Sequence, residues 1–115
     1  MGDLSANFDS REFRCPHCRA LRGPTDALVQ ALQRLRNEVG RPLVIVSGYR
    51  CDDYNRLVGG IRLSRHRVCD AADIPGGYAT VEQARRAGFH GVGIRSGRVV
   101  HVDVQPGKPF YTFKD

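Results

Sequence analysis

The sequence lacks several features that mark specialised classes of protein. It has no tryptophan and one methionine, and only 8% of its residues are aromatic. No apolar run approaches the roughly 18 residues of a membrane-spanning helix, so no membrane span is expected. Residues 1–6 lack the basic and apolar regions of a secretory signal, and no signal peptide is predicted. Repeats, linkers and low-complexity tracts are also missing, which predicts a single domain over residues 1–115.

The composition is that of an ordinary globular domain with an excess of positive charge. Hydrophobic residues make up 41% of the chain, charged residues 26%, and the formal net charge is +6. Such a balance favours an anionic partner such as nucleic acid, anionic lipid or a bacterial wall polymer, although a plain solvated surface fits equally well. The arginines are dispersed from Arg11 to Arg98 and lysines are not clustered, so no nucleic-acid partner is expected. A chain of this length can bury its own core, and we expect a monomer.

Hydrophobic periodicity predicts three helices and a buried strand. An amphipathic helix begins near Pro24 and ends at Gly40, with leucines at helical spacing on its apolar face. A short helix is predicted over residues 52–57, and another follows Thr80, a favourable N-cap, as far as Ala87. The continuous β-branched run over residues 43–46 predicts a buried strand. Residues 61–67 show no clear period and predict a loop.

The second half of the chain is rich in strand signals. Residues 71–74 predict a short strand, and the runs 91–95 and 98–104 flank a Ser-Gly turn typical of a hairpin. Alternation places His101 and Asp103 on one face of the second hairpin strand. The opposite, core-facing side is expected to carry Val100, Val102 and Val104. The aromatic tail residues favour packing on the core over stacking on a ligand: Phe110, Tyr111 and Phe113.

Three dispersed residues form a candidate metal-binding set. His66, Asp73 and His101 supply two imidazoles and a carboxylate, a set that leaves the fourth zinc position open for water as catalytic sites require. Considered singly, each has a plainer explanation as a polar group on an exposed surface. Amide hydrolysis at such a site also requires a proton acceptor and donor, and a group that positions the substrate.

Short motifs in a fixed order make the set more specific. They are Ser47-Gly48-Tyr49-Arg50, Asn55, Gly59-Gly60, the pattern Ser-x-His-x-x-Cys-x-Ala-x-Asp over residues 64–73, and His101-x-Asp103. With the opening segment over residues 7–15, they resemble the zinc D-Ala-D-Ala carboxypeptidase family of murein peptidases, especially its small phage and prophage members. The resemblance covers nearly the whole chain.

The resemblance implies a fold, an activity and roles for particular residues. The fold would be α+β, a small antiparallel sheet that carries the site and packs against helices, as in hedgehog signalling domains. Zinc would be held by His66, Asp73 and His101. Arg50 would grip a carboxylate of the substrate, a role that suits its planar fork, with Ser64 and Tyr49 beside it.

The implied substrate is the stem peptide of bacterial peptidoglycan. The protein would cut its peptide bonds as a D,D-carboxypeptidase or an endopeptidase of the endolysin type. It would act on the cell wall, after release from the cytoplasm by phage-type lysis or as part of a phage particle. The alternative is a zinc-bearing binding module of the same fold that has lost catalysis.

Two positions depart from the family pattern. Cys69 stands where relatives have glycine, so a positive φ at this position would be strained. Relatives also place an acidic residue three positions before the last histidine, where this chain has Arg98. Asp103 is the nearest acid in sequence, and it is expected to act as the catalytic base or to orient a metal ligand.

The four cysteines allow more than one arrangement. Cys15 and Cys18 have the spacing of half a structural zinc site, although a local disulfide or two thiols are favoured over it. Cys51 and Cys69 flank the site loop and are predicted to form a disulfide or to lie close together. A small basic nucleic-acid binder built around Cys15 and Cys18 would require a complete Cys/His quartet, which the sequence does not offer.

Overall fold

The computed structural model describes residues 2–18, 23–60, 64–107 and 109–115. Within them lie the helices α1 (Asp26–Val39), α2 (Asp52–Leu57) and α3 (Val81–Ala87), with 3₁₀ turns at Ser10–Phe13 and Arg65–Val68. The strands are β1 (Ala71–Asp73), β2 (Gly91–Arg95), β3 (Arg98–Asp103) and β4 (Tyr111–Lys114). The predicted α+β class is confirmed. Of the predicted loop over residues 61–67, residues 61–63 lie outside the described residues.

Capping residues bound the helices, and among them Gly40 and Thr80 were indicated by the sequence. The Thr25 hydroxyl accepts the Leu28 N–H at 3.2 Å, and α1 ends at Gly40 with a φ of 72°. Thr80 and Gln83 form a reciprocal capping box at the start of α3. All three predicted helices are confirmed, with α2 over the same residues as expected.

The sheet has the order β1-β3-β2-β4 in the described residues. The pairs β1–β3 and β2–β3 are antiparallel, which confirms the predicted hairpin. Strand β4 was not predicted, and it pairs with β2 in parallel, so the sheet is mixed rather than wholly antiparallel. This pairing joins the tail to a strand that lies well before it in the chain.

A bulge in β3 changes which valines face the core. Gly93 pairs with His101 and Ile94 pairs with Val99, so β3 holds one extra residue between these pairs. An extra residue shifts the side-chain alternation by one position. Val99 is therefore buried and Val100 is only half-buried, so the prediction that Val100 faces the core is wrong. The core positions of Val102 and Val104 are confirmed.

The predicted buried strand over residues 43–46 is wrong. This segment forms no strand, and Val44 and Val46 are 52% and 64% exposed. It meets the sheet only at its end, where the Val46 N–H bonds to the Asp73 carbonyl at 2.8 Å. Leu43 is nevertheless buried. The apolar run is therefore an extended edge segment with one side on the core and the other in solvent.

The core lies on one face of the sheet. Leucines of α1 and alanines of α3 pack with Val92 and Val102, and the largest buried side chains are Phe8, Phe13, Phe89, Leu28, Leu32 and Leu35. Helices thus cover one face, and His101 and Asp103 project from the other. No helix in the described ranges has the length and apolarity to cross a bilayer.

The predicted disulfide between Cys51 and Cys69 does not form. None of the four cysteines, all of which lie in described parts of the chain, forms a disulfide. Cys69 is buried in the core, whereas the Cys51 thiol lies close to those of Cys15 and Cys18. The sequence distance between Cys15 and Cys51 hid this proximity, because the N-terminal segment reaches the start of α2 only in the folded chain.

Candidate metal centre

His66 is held in one orientation by the turn that carries it. Ser64 caps the 3₁₀ turn, and its hydroxyl accepts the His66 backbone N–H at 3.3 Å. The ring is 2% exposed, and its Nδ1 lies 2.7 Å from the carbonyl oxygen of Gly48. Because a carbonyl can only accept, Nδ1 carries the proton. The Nε2 atom of His66 is therefore the nitrogen that faces Asp73 and is available to a metal.

Asp73 lies between the two imidazoles at the end of β1. Its Oδ1 is 3.2 Å from Nε2 of His66 and 3.1 Å from Nδ1 of His101. Its Oδ2 accepts from Nη2 of Arg50 at 2.9 Å. Burial raises the pKa of Asp73, but the hydrogen bonds and charges of the two imidazoles lower it more, to well below its ordinary range.

His101 is held from behind by Asp103. Its Nε2 lies 3.0 Å from Oδ2 of Asp103, a carboxylate that is 1% exposed. The same carboxylate accepts the Gln105 N–H at 3.2 Å and the Tyr111 hydroxyl at 3.2 Å. Asp103 thus fixes the His101 ring so that Nδ1 points toward Asp73.

Two glycines of β2 make room for this pair. A Cβ at Gly91 would lie 2.3 Å from Oδ2 of Asp103, and one at Gly93 would lie 2.8 Å from Cβ of His101. Any larger residue would displace the imidazole or its carboxylate. The glycines in β2 therefore belong to the site, although neither has a functional group.

The metal-free site is arranged to hold a positive charge. Burial lowers the pKa of His101, but hydrogen bonds and charges from Asp103 and Asp73 raise it to about 9. Burial raises the pKa of Asp103, but the bond from His101 lowers it more, to below its ordinary value. Burial and the charge of Asp103 raise the pKa of Tyr111 to about 12, so its hydroxyl keeps its proton. The carboxylates of Asp73 and Asp103 therefore favour a positive charge in this site.

The three side chains fit a zinc ion. One donor atom from each of His66, Asp73 and His101 lies within 4.8 Å of the others. With metal–ligand bonds of about 2.0–2.2 Å, tetrahedral geometry places N and O ligands about 3.3 Å apart. The observed separations of 3.1 and 3.2 Å agree with this spacing. Three protein ligands would leave the fourth zinc position unfilled, and all three residues line the adjoining cavity.

That cavity has a volume of about 400 Å³ and brings further predicted residues to the metal set. Arg50 and Ser64 line it, whereas Tyr49 lies on a separate cleft beside Cys18 and Cys51 and packs partly against the core. The structure thus joins Arg50 and Ser64 to the candidate ligands and leaves Tyr49 apart.

The prediction that the aromatic residues of the tail pack on the core is wrong for two of the three. Phe110 packs on the core as expected, but Tyr111 and Phe113 line the cavity. The Phe113 ring contacts His101 edge to face, with centroids 5.1 Å apart. The alternation of Tyr111 and Phe113 along a strand was the available signal, since residues two apart share a face.

The structure shows where the two residues that depart from the family pattern, Cys69 and Arg98, are located. Cys69 has a φ of 57°, which is the left-handed conformation that glycine adopts without strain. Arg98 is exposed at the start of β3 and lines a different cleft with Tyr78 and Thr80. Asp73, Asp103 and Asp115 are the acids that line the cavity in the described residues.

The comparison with protein families agrees with this geometry. A family model described as Peptidase M15 matches residues 6–103, a span that holds all three candidate ligands. The chain therefore belongs to the peptidase M15 family, whose members are metal-dependent peptidases. No curated protein matches the chain. The resemblance drawn from the sequence motifs is confirmed at the level of the family.

Proposed function

We propose that this chain is a zinc-dependent peptidase that hydrolyses peptide bonds in the stem peptides of bacterial peptidoglycan. The observation that carries the proposal is the convergence of His66, Asp73 and His101 on the wall of a cavity that also holds Arg50. Zinc in such a site supplies Lewis-acid polarisation of a carbonyl and activation of water. Membership of a peptidase family supports amide hydrolysis as the reaction.

The chain's own residues keep the ligand set in place before substrate arrives. The Gly48 carbonyl and the Asp103 carboxylate each hold the outer nitrogen of one imidazole. The inner nitrogens therefore face Asp73 without a search through rotamers or tautomers. Such outer partners contribute strongly to metal affinity, and we assign Asp103 this positioning role.

The geometry gives less support to Asp103 as the catalytic base. Its Oδ2 lies behind His101, on the nitrogen that points away from Asp73. Three donors already engage the carboxylate, and its pKa is lowered, so its proton affinity is weak. A base that works near neutral pH requires the opposite shift. Asp103→Asn separates the two roles, because loss of the base would abolish hydrolysis and loss of the His101 partner would weaken zinc binding.

Arg50 is the proposed anchor for the substrate carboxylate. Its guanidinium lines the cavity, with Nη2 on Asp73 and Nε 3.4 Å from the Ser47 hydroxyl. A guanidinium has five N–H donors, so a substrate carboxylate can bind to the same group without displacing Asp73. Placed this close to the ligands, the anchor would hold the scissile amide against the metal.

The anionic wall is the proposed location of the substrate. A net charge of +6 attracts the protein to anionic polymer over long range. The cavity adds Arg65 and Lys114 to Arg50 as cationic groups, while Tyr111 and Phe113 give it an aromatic wall. This combination suits a short peptide with a free carboxylate and small apolar side chains. Delivery to the wall by phage-type lysis or on a phage particle is part of the proposal.

Digestion of purified peptidoglycan, followed by mass spectrometry of the released peptides, tests the function. Zinc-loaded protein should release fragments that define one cleaved bond, and His101→Ala should release none. His90→Ala is a matched control, because that imidazole bonds to the Gln105 carbonyl outside the metal set. If the zinc-loaded wild type releases no fragment, the peptidase proposal fails and the binding-module alternative gains support.

A further inference from the structure

A second cluster of metal-ligating side chains lies away from the cavity. The sulfur atoms of Cys15, Cys18 and Cys51 all lie within 4.8 Å of one another. Cys15 and Cys18 belong to the N-terminal segment, whereas Cys51 caps the start of α2. The fold therefore brings together thiols that are more than thirty residues apart in the chain. His17, between the first two cysteines, has its Nδ1 3.7 Å from the Cys51 sulfur.

We propose that Cys15, Cys18 and Cys51 hold a second, structural zinc ion, with His17 as the fourth ligand. The Cys-x-x-Cys spacing of the first pair is the usual half of such a site. Zn–S bonds of about 2.3 Å and Zn–N bonds of about 2.0 Å place tetrahedral S and N ligands about 3.5 Å apart. The observed separation of 3.7 Å between His17 Nδ1 and Cys51 Sγ is close to that value.

The surroundings of Cys15 favour a thiolate. Its side chain is buried, and the Cys51 backbone N–H points at its sulfur from 3.5 Å. Three sulfurs can all ionise at this distance only with a cation among them.

A disulfide accounts for this arrangement less well than a metal. A disulfide joins two sulfurs about 2.0 Å apart and leaves the third outside the bond. Here three sulfurs converge, and the separation between His17 Nδ1 and the Cys51 sulfur is close to that expected for two ligands of one zinc ion. Cys69, the remaining cysteine, is a buried core residue outside the cluster.

The proposed ion would fix the turn that supports the catalytic site. Cys51 directly follows Arg50, and the Tyr49 N–H bonds to the Phe13 carbonyl at 2.9 Å. Gly48, whose carbonyl orients His66, packs so closely that a Cβ there would lie 2.7 Å from Cα of Phe13. A metal at the cysteines would tie the N-terminal segment to this turn. Its role is therefore structural, and none of its four proposed ligands is among the described residues that line the cavity.

Metal counting on the full chain, purified in the presence of a reductant, tests the site. The wild type should retain about two zinc ions per chain, because it holds two ligand sets. Cys18→Ser and Cys51→Ser should each lower the count by about one. Cys69→Ala should leave it unchanged, as the matched removal of a thiol outside the cluster. His101→Ala should also lose one ion, but from the other site.

Cobalt substitution identifies which site is filled. Thiolate ligands give cobalt(II) intense sulfur-to-metal charge-transfer absorption, which ligands through nitrogen and oxygen do not. This absorption should persist in His101→Ala and disappear in Cys18→Ser, where the altered side chain is exposed and the substitution itself removes no core packing. His17→Ala should keep the absorption and bind cobalt about ten-fold or more weakly.

Two results would overturn the proposal. One is a wild-type chain that binds a single metal and shows no sulfur-to-cobalt absorption under reducing conditions. The other is a disulfide between two of the three cysteines that persists in the reductant. Neither result bears on the peptidase proposal, because that proposal depends on His66, Asp73 and His101 and is tested by peptide release.

Discussion

The two ligand clusters differ in how the chain supports them. In the first cluster, His66 and His101 are buried and each is fixed by a hydrogen bond on its outer nitrogen. The second cluster joins the N-terminal segment to the start of α2, and Cys18 is exposed. The first set has three ligands and opens on a cavity, whereas the second has four donors of which three are sulfur.

This difference separates two uses of a metal ion. An open set of nitrogen and oxygen ligands leaves room for substrate, and a closed set rich in sulfur stabilises a fold. In the first cluster, hydrogen bonds from the surrounding protein hold the ligands in position before a metal binds. In the second, the ion would hold together two segments that are distant in sequence, so the site organises the fold. The two clusters should therefore respond differently to the same kind of substitution.

The largest effect is expected from removal of a ligand in the first cluster. His101→Ala should abolish hydrolysis and lose the zinc of that site, because two ligands cannot hold an open-site zinc tightly. Peptide release and metal content would be measured on the same preparation. His90→Ala should behave like the wild type. Full turnover in His101→Ala would remove this residue from the metal centre.

A smaller loss is expected from Arg50. Arg50→Ala should keep the zinc content and lower turnover about 100-fold or more, because misplacement of the substrate costs about that much. Arg50→Lys should recover little, since a point charge cannot form two parallel bonds to a carboxylate. Steady-state kinetics on a stem peptide, with parallel metal analysis, would measure both. Unchanged turnover in Arg50→Ala would refute the anchoring role.

Asp103→Asn distinguishes two roles for one carboxylate. If Asp103 orients His101, Asp103→Asn should lower zinc affinity about 10- to 100-fold, and saturating zinc should largely restore turnover. If it is the base, hydrolysis should instead be lost while zinc stays bound. Zinc titrations followed by activity at saturation separate the two results. A variant with normal affinity and normal turnover would eliminate both roles.

The pH dependence of the metal-free protein probes the first cluster without substrate. The pKa of His101 is about 9 in the folded chain and about 6.5 in the unfolded chain, so the folded state binds more protons between these values. The free energy of unfolding should therefore be fully supported below pH 6.5 and fall as the pH rises toward 9. Urea unfolding across this range measures it. The zinc-loaded protein should lack this decline, because His101 is then already neutral.

Local patterns in the sequence predicted the elements whose cause is local. Gly40 and Thr80 bound their helices through caps, and the turn at residues 96–97 forms the hairpin. The prediction of a buried strand over residues 43–46 is wrong because the composition of this run does not reveal that it lies beside the sheet and is not part of it. Strand β4 was missed because its partner β2 is not adjacent in the chain. Only tertiary structure supplies that information.

The candidate site also combines residues that the sequence predicted with features that only the folded structure shows. Motif order picked out His66, Asp73, His101 and Arg50, and the fold brings all four to one place. The glycines of β2, which make room for His101 and Asp103, had no chemical signal in the sequence. The convergence of Cys51 with Cys15 had none either, since it depends on how the N-terminal segment packs against α2. Chemistry-bearing side chains can be read from sequence, and the space around them cannot.

Zinc titration into metal-free protein, with hydrolysis of a stem peptide measured at each addition, tests the central claim most directly. Activity should be absent without metal and should rise in step with occupancy of the site formed by His66, Asp73 and His101. His101→Ala should gain no activity at any zinc concentration, although it can still bind zinc at the cysteines. Hydrolysis by thoroughly metal-free protein, or full zinc occupancy of the histidine site without hydrolysis, would contradict the account.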